Sequence, residues 1–349
     1  QAEADQIVEA MKKKNIPVQM DVSDVGTTTG QFLQLGAGAR ALGMGEAMVA
    51  ASEGPDALYW NPAGLSRMRR PEAAYARAQL PSASHDFLAA SVPVRLLRGS
   101  LGVGLTRLTQ NPIARTDNLG RDRGSFAPHS EVVSLGYSHS FVKADHATLA
   151  RDYFRETWNL PGTMRPMRDE EDPWTGAIAF GFALKSVSET LGDRRSSTFA
   201  LDAGGSFRPH EMGALVVAGA ARNVGGRQRF ISDSAPLPAE AAVGASYDLR
   251  AEAEGDDEPW RLVPAVEAVI PFYSAPYGKL GVEYEKPFGK GVAGLVRLGY
   301  NTRPAPSLGV IAGLAAGVGV KTGRFNFDVG FSPMGDLGTV LRIGTGWRF

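Results

Sequence analysis

The residues most able to bind a metal or move a proton at neutral pH are the five histidines, His85, His129, His139, His146 and His210. They are scattered, without metal-ligand spacing. Cysteine is absent, which excludes a zinc–thiolate site, a disulfide framework, a cysteine nucleophile and a lipid anchor on cysteine. No serine stands in a recognisable nucleophile context. The acidic run Asp169-Glu170-Glu171-Asp172 lacks the interleaved pattern of a calcium loop and reads as a solvated turn, as does Asp256-Asp257-Glu258. The glycines of 36–45 are followed by no Gly-Lys-Ser/Thr and preceded by no strand of a βαβ unit, so a nucleotide loop does not fit. These residues predict a protein that is not an enzyme and carries no cofactor or metal. The 37 basic and 37 acidic residues cancel, so charge gives no case for nucleic acid.

The chemistry that remains is electrostatic, and it depends on how the charges are placed. Most of the chain alternates with period 2, the signature of strands. In 177–185, Ile178, Phe180, Phe182 and Leu184 share one face, with Ala177, Ala179, Gly181, Ala183 and Lys185 on the other. Phe325, Phe327, Val329 and Phe331 oppose Asn326, Asp328, Gly330 and Ser332. A soluble β-sandwich also alternates, but here the apolar face is large and aromatic while the other is glycine-rich, small or charged. A barrel in lipid needs that arrangement. The last strand ends on Trp347 and Phe349, an aromatic terminus that resembles the closing signature of outer-membrane barrels. No run of about 20 apolar residues offers a transmembrane helix. The expected fold is therefore all-β: a transmembrane antiparallel barrel of about fourteen strands. They are placed near 71–80, 85–95, 99–108, 131–142, 174–185, 196–208, 213–223, 238–250, 259–271, 277–286, 291–301, 308–321, 323–332 and 337–349. An even count puts both termini on one side, expected to be the periplasmic side of a bacterial outer membrane. Beginning at Gln1, the chain reads as a processed secreted protein or a trimmed one.

By phase, Glu267, Glu283 and Arg297 lie on the lumen faces of three consecutive strands, a charge ladder that holds the lumen in register or contacts a ligand. Asp202, Asp328, Arg342 and Arg348 point inward too. Glycine makes up 42 of the 349 residues, roughly 12% against about 7% on average. Much of it falls on inward faces: Gly102, Gly104, Gly204, Gly244, Gly281, Gly299, Gly309, Gly313, Gly317 and Gly319. Strand glycine marks close approach of another backbone. Residues 26–70, rich in glycine and alanine, supply that backbone as a plug inside residues 71–349. Arg40 is expected to pair with Glu267 or Glu283, because a buried arginine needs an acid. Two segments stand apart. Residues 1–25 form an arm with a thin apolar stripe, either a contact surface or a loose terminus. Residues 143–173 form an insertion whose Leu149, Tyr153, Phe154 and Trp158 make a stripe that contacts a partner or caps the barrel end.

The hatch residues Gly36, Gly38, Arg40, Gly43 and Gly45, with Asn61, Pro62 and Gly64, resemble the PorV/PorQ group of the FadL superfamily. Ala221-Arg222-Asn223-Val224-Gly225, Gly281-Val282-Glu283-Tyr284 and Arg297-Leu298-Gly299-Tyr300 continue the likeness over roughly 27–349. The resemblance implies a fourteen-stranded outer-membrane barrel with an N-terminal hatch, embedded in lipid. Its PorV-like branch implies a protein partner in a secretion or envelope complex. Its FadL-like branch implies passage of a hydrophobic small molecule. The arm and the insertion depart from the pattern.

Overall fold

The computed structural model describes residues 28–349 apart from 69, 95, 96, 98, 142–177, 210–213, 231–233, 251–259, 290, 305–307 and 334–337. Fourteen strands close into one antiparallel barrel: β1 (Glu72–Leu80), β2 (Ala83–Val94), β3 (Gly99–Gln110), β4 (His129–Phe141), β5 (Ile178–Leu191), β6 (Arg194–Phe207), β7 (Leu215–Gly225), β8 (Glu240–Tyr247), β9 (Arg261–Pro271), β10 (Tyr277–Pro287), β11 (Val292–Asn301), β12 (Leu314–Thr322), β13 (Phe325–Pro333) and β14 (Thr339–Arg348). Each pairs with its neighbours in sequence, and β1 closes on β14 from Glu72↔Arg348 to Gln79↔Leu341. Closure leaves no sheet edge, the condition for spanning lipid with strands.

Side-chain alternation decides which face meets lipid. On β5, Phe180, Phe182 and Leu184 are exposed while Ala179, Ala183 and Lys185 are buried. The same division runs through Val133 and Leu135 on β4, Val296 and Leu298 on β11, and Phe325 and Phe327 on β13, all of them exposed. At the closing strand Trp347 stacks on Phe325 and Phe349, with ring centroids 5.3 and 4.7 Å apart. His139 lies beside Phe141, 4.5 Å between centroids, on the outward face with Tyr137.

The barrel is filled by residues 28–68. They form short turns and helices: 3-10 turns at Gln31–Gln34, Gly54–Asp56 and Pro62–Arg67, with α1 (Ala39–Gly43) and α2 (Ala57–Trp60). Their Met44, Met48, Leu58, Trp60 and Leu65 pack with the wall residues Ala76, Phe87, Ala89, Ala183 and Ala265 in one buried cluster. The core thus sits between the inner segment and a wall of small residues, with the bulky wall residues turned outward.

Three strand placements shift. Residues 308–313 do not extend β12: Val310–Gly313 is a 3-10 turn, and Gly309 precedes it at φ 85°. Gly309 and Gly313 are therefore turn residues and not part of the strand lining. β5 runs on to Leu191, six residues past its expected end at 185, because β4 and β6 pair with it that far. Between β6 and β7 the register slips by one residue at Asn223, whose φ is 57°. The arm 1–25 and the insertion 143–173, with Leu149, Tyr153, Phe154 and Trp158, lie outside the described residues, as do His146 and His210.

Candidate functional site

The inner segment reaches the wall through its backbone. Gly36, Gly38 and Gly45 adopt φ of 71°, 87° and 59°, the left-handed region that suits glycine, and so turn the chain sharply inside a narrow space. Gly43 lies against Gly317, where an added Cβ would stand 3.0 Å from the facing Cα. A Cβ on Gly299 would overlap Gly45 and Met44, and one on Gly281 would overlap Met44. A Cβ on Gly64 would collide with the Ser52 carbonyl inside the segment itself. Asn61 is fully buried and works in two directions. Its side-chain oxygen accepts from Ala63 N–H at 3.1 Å, capping the turn that Pro62 opens, and its amide donates to Val49 O at 2.8 Å.

Buried charges then clamp the segment in two networks. In the first, Arg40 donates to both Glu283 oxygens, at 2.8 and 3.0 Å, in the bidentate geometry of a strong pair. Glu283 sits directly opposite Arg297 across β10–β11 and accepts from it at 2.6 Å; Arg297 continues to Asp328 at 2.7 Å. In the second, one Glu267 oxygen accepts the backbone N–H groups of Met48 and Val49, both at 2.8 Å. Its other oxygen accepts from Lys279 at 3.2 Å and Arg222 at 3.4 Å, and Arg222 also pairs with Glu240 at 2.9 Å. Trp60 lies between, with Lys279 4.9 Å and Arg222 5.3 Å from its ring centroid. Arg342 adds a third hold by donating to Gly38 O and Leu35 O.

Glu267, Glu283 and Arg297 thus share the lumen face but do not form a single ladder. Glu267 pairs across β9–β10 with Lys279, whereas Glu283 opposes Val263 on that side and Arg297 on the other. Three partners were not among the expected ladder residues: Lys279, Arg222 and Glu240. Phase alone could have found them, since Lys279 alternates with Gly281 and Glu283 on one face. Lys185, Asp202 and Asn223 form a further buried cluster. Lys185 pairs with Asp202 and donates to Asn223 at 2.9 Å, while Asp202 accepts the Asn223 N–H at 2.7 Å and so pins the register slip. Arg348 is half exposed and pairs with Glu72 at 3.3 Å.

Room between segment and wall is small. Two crevices of about 10 Å³ each flank it, one by Tyr59, Trp60 and Arg222, the other by Leu58, Phe87 and Val132. Each has space for about one water. Toward the end where β1 starts and β14 finishes, the lumen widens into a chamber of about 580 Å³. Burial pushes the Asp56 carboxyl of the inner segment up to about 6. Burial works the same way on Glu53, but Arg40, Arg261, Arg348 and Arg67 outweigh it and hold that carboxyl at about 2. Among the described residues no group of three His, Asp or Glu could hold a metal ion. This geometry fixes the inner segment in the lumen through buried ion pairs and backbone contacts.

No protein-family model matches the sequence, and no curated protein does. Among solved structures, the chain superposes on a TodX deltaS2S3 mutant monoaromatic hydrocarbon channel with a TM-score of 0.52 and 10% identity, covering 90% of this chain and 99% of the channel. At 10% identity the likeness is one of fold: the chain shares the barrel architecture of that outer-membrane channel. A Pseudomonas aeruginosa FadL homologue matches at a TM-score of 0.44 and 10% identity, over 90% of this chain and 98% of that one. The P. putida toluene transporter TodX matches at 0.40 and 11%, over 90% and 99%.

Proposed function

We propose that the protein is a hatched conduit for hydrophobic small molecules across the bacterial outer membrane, with both termini toward the periplasm. The observation that carries this reading is the superposition, almost end to end, on a monoaromatic hydrocarbon channel. The inner segment acts as the hatch. Since the crevices beside it admit about one water, a passenger through the lumen requires the hatch to shift. The test is uptake of radiolabelled toluene at limiting concentration by Gram-negative cells carrying the protein in a lipopolysaccharide-faced outer membrane. Faster uptake than in cells lacking the protein is expected. Equal rates would remove the conduit reading.

A second reading, a PorV-like subunit that acts through a protein partner, is favoured by the strength of the clamp. A segment fixed by two buried ion networks suits a barrel whose working surface is its rim. Purification from the native outer membrane in mild detergent, followed by mass spectrometry, separates the two. A stoichiometric protein partner supports this reading; a lone barrel carrying a hydrophobic molecule supports the first.

A further inference from the structure

The chamber at the β1/β14 end has an unequal charge lining. Nine Lys and Arg side chains face four carboxylates, Glu53, Glu72, Asp248 and Glu285. Setting aside Arg40, which is committed to Glu283, eight cations face those four among the described residues. Three of the carboxylates are already engaged: Glu72 by Arg348 at 3.3 Å, Asp248 by Arg261 at 2.8 Å, and Glu285 by Lys321 at 2.7 Å. Among the described residues, Arg67, Arg70 and Arg324 line the chamber and form no ion pair. Arg67 donates to the Ala50 carbonyl at 2.8 Å, a neutral acceptor, and the acid that acts on it is Glu53, which it shares with Arg40, Arg261 and Arg348. Burial lowers Arg67 to about 10, with Glu53 opposing the shift and Arg208 and Arg40 adding to it, so it stays charged at neutral pH. Ser140 on β4 also lines the chamber, and among the described residues its buried Oγ has no hydrogen-bond partner. A cleft lined by one sign of charge, with low-dielectric walls, concentrates ions of the opposite sign. Guanidinium groups suit oxyanions in particular, because they present several donors in one plane.

We propose that this chamber is a binding site for a phosphate group, centred on Arg67, with Arg70 and Arg324 adding positive charge. The site is independent of the conduit reading: it needs the chamber and its cations, and nothing needs to move. The phosphate is either free in solution or part of an anionic phospholipid headgroup, since the chamber opens at the rim of a lipid-embedded barrel.

The experiment uses the full chain in detergent, titrated calorimetrically with inorganic phosphate. In parallel, the chain is placed in phosphatidylglycerol nanodiscs and examined by native mass spectrometry for retained lipid. Saturable phosphate binding is expected, weakened roughly tenfold by Arg67→Gln, as the loss of one charge-assisted hydrogen bond implies. Arg324→Gln, in an exposed turn, should weaken it less and leave the fold intact, so it decides the matter if Arg67→Gln does not assemble. Arg121→Gln, in the hairpin between β3 and β4, should have no effect. Retained phosphatidylglycerol that is lost in the chamber variants, without affinity for free phosphate, would assign the site to a headgroup. No binding of either ligand, or binding unchanged in both folded chamber variants, would overturn the proposal.

Discussion

At the scale of single residues, Glu283 and Glu267 are the carboxylates on which the inner segment depends. A buried ion pair adds little net stability when both partners are present, because desolvation offsets attraction. Removing one partner strands the other and costs about 3–5 kcal/mol. Glu283→Gln strands Arg40 and weakens the hold on Arg297, both tied to it within 3 Å. The variant should unfold at lower denaturant, by roughly that amount, in a titration followed through the fluorescence of the buried Trp60. Arg40→Ala should instead leave the barrel folded and make the inner segment cleavable by protease; continued resistance would mean that the pair does not anchor it. That Arg40 must meet a lumen acid was legible in the sequence, because alternation fixes which acids point inward. Which acid it meets was not legible. Arg222 reaches Glu267 from β7, across the whole width of β8. Register and reach of that kind are tertiary facts that a single strand's pattern does not carry.

At the scale of elements, the fourteen strands were readable from period 2 because lipid on one side and packed small residues on the other enforce strict alternation. The failures came where alternation lapses. Around residue 310 an apolar turn resembles the start of a strand, and at Asn223 one extra residue shifts the pairing. The glycine lining was also legible, and it yields a sharp contrast. Gly299 faces the backbone of Met44 and Gly45, which cannot rotate aside, so Gly299→Ala must displace the inner segment or distort β11. Overpacking of this kind costs about 1–3 kcal/mol and more when backbone must move. Gly278 on β10 has its nearest neighbour at 3.9 Å, so Gly278→Ala should be silent. Comparing the two for folded yield and for protease release of residues 28–68 tests whether strand glycines exist to admit the inner segment. Equal behaviour would mean that they do not.

At the scale of the whole molecule, the question is whether the closed lumen ever opens. The chain has no cysteine, so a pair can be introduced against a clean background. Ala39 on α1 and Gly344 on β14 are suited to it: a Cβ built on Gly344 stands 3.1 Å from that of Ala39, close to the roughly 3.5–4.5 Å that disulfides span. In Ala39→Cys/Gly344→Cys, oxidation ties the inner segment to the wall beside the Arg342 contact without touching either ion network. If hydrophobic molecules cross through the lumen, the oxidised variant should take up toluene at the rate of cells lacking the protein, and reductant should restore uptake. The reason is volumetric. Crevices of about 10 Å³ exclude any aromatic ring unless the segment moves. Uptake that persists with the tether formed would place the passage outside the lumen. Full uptake in the reduced variant also shows that the two substitutions alone leave the barrel working, so any loss on oxidation reports the tether and not a folding defect.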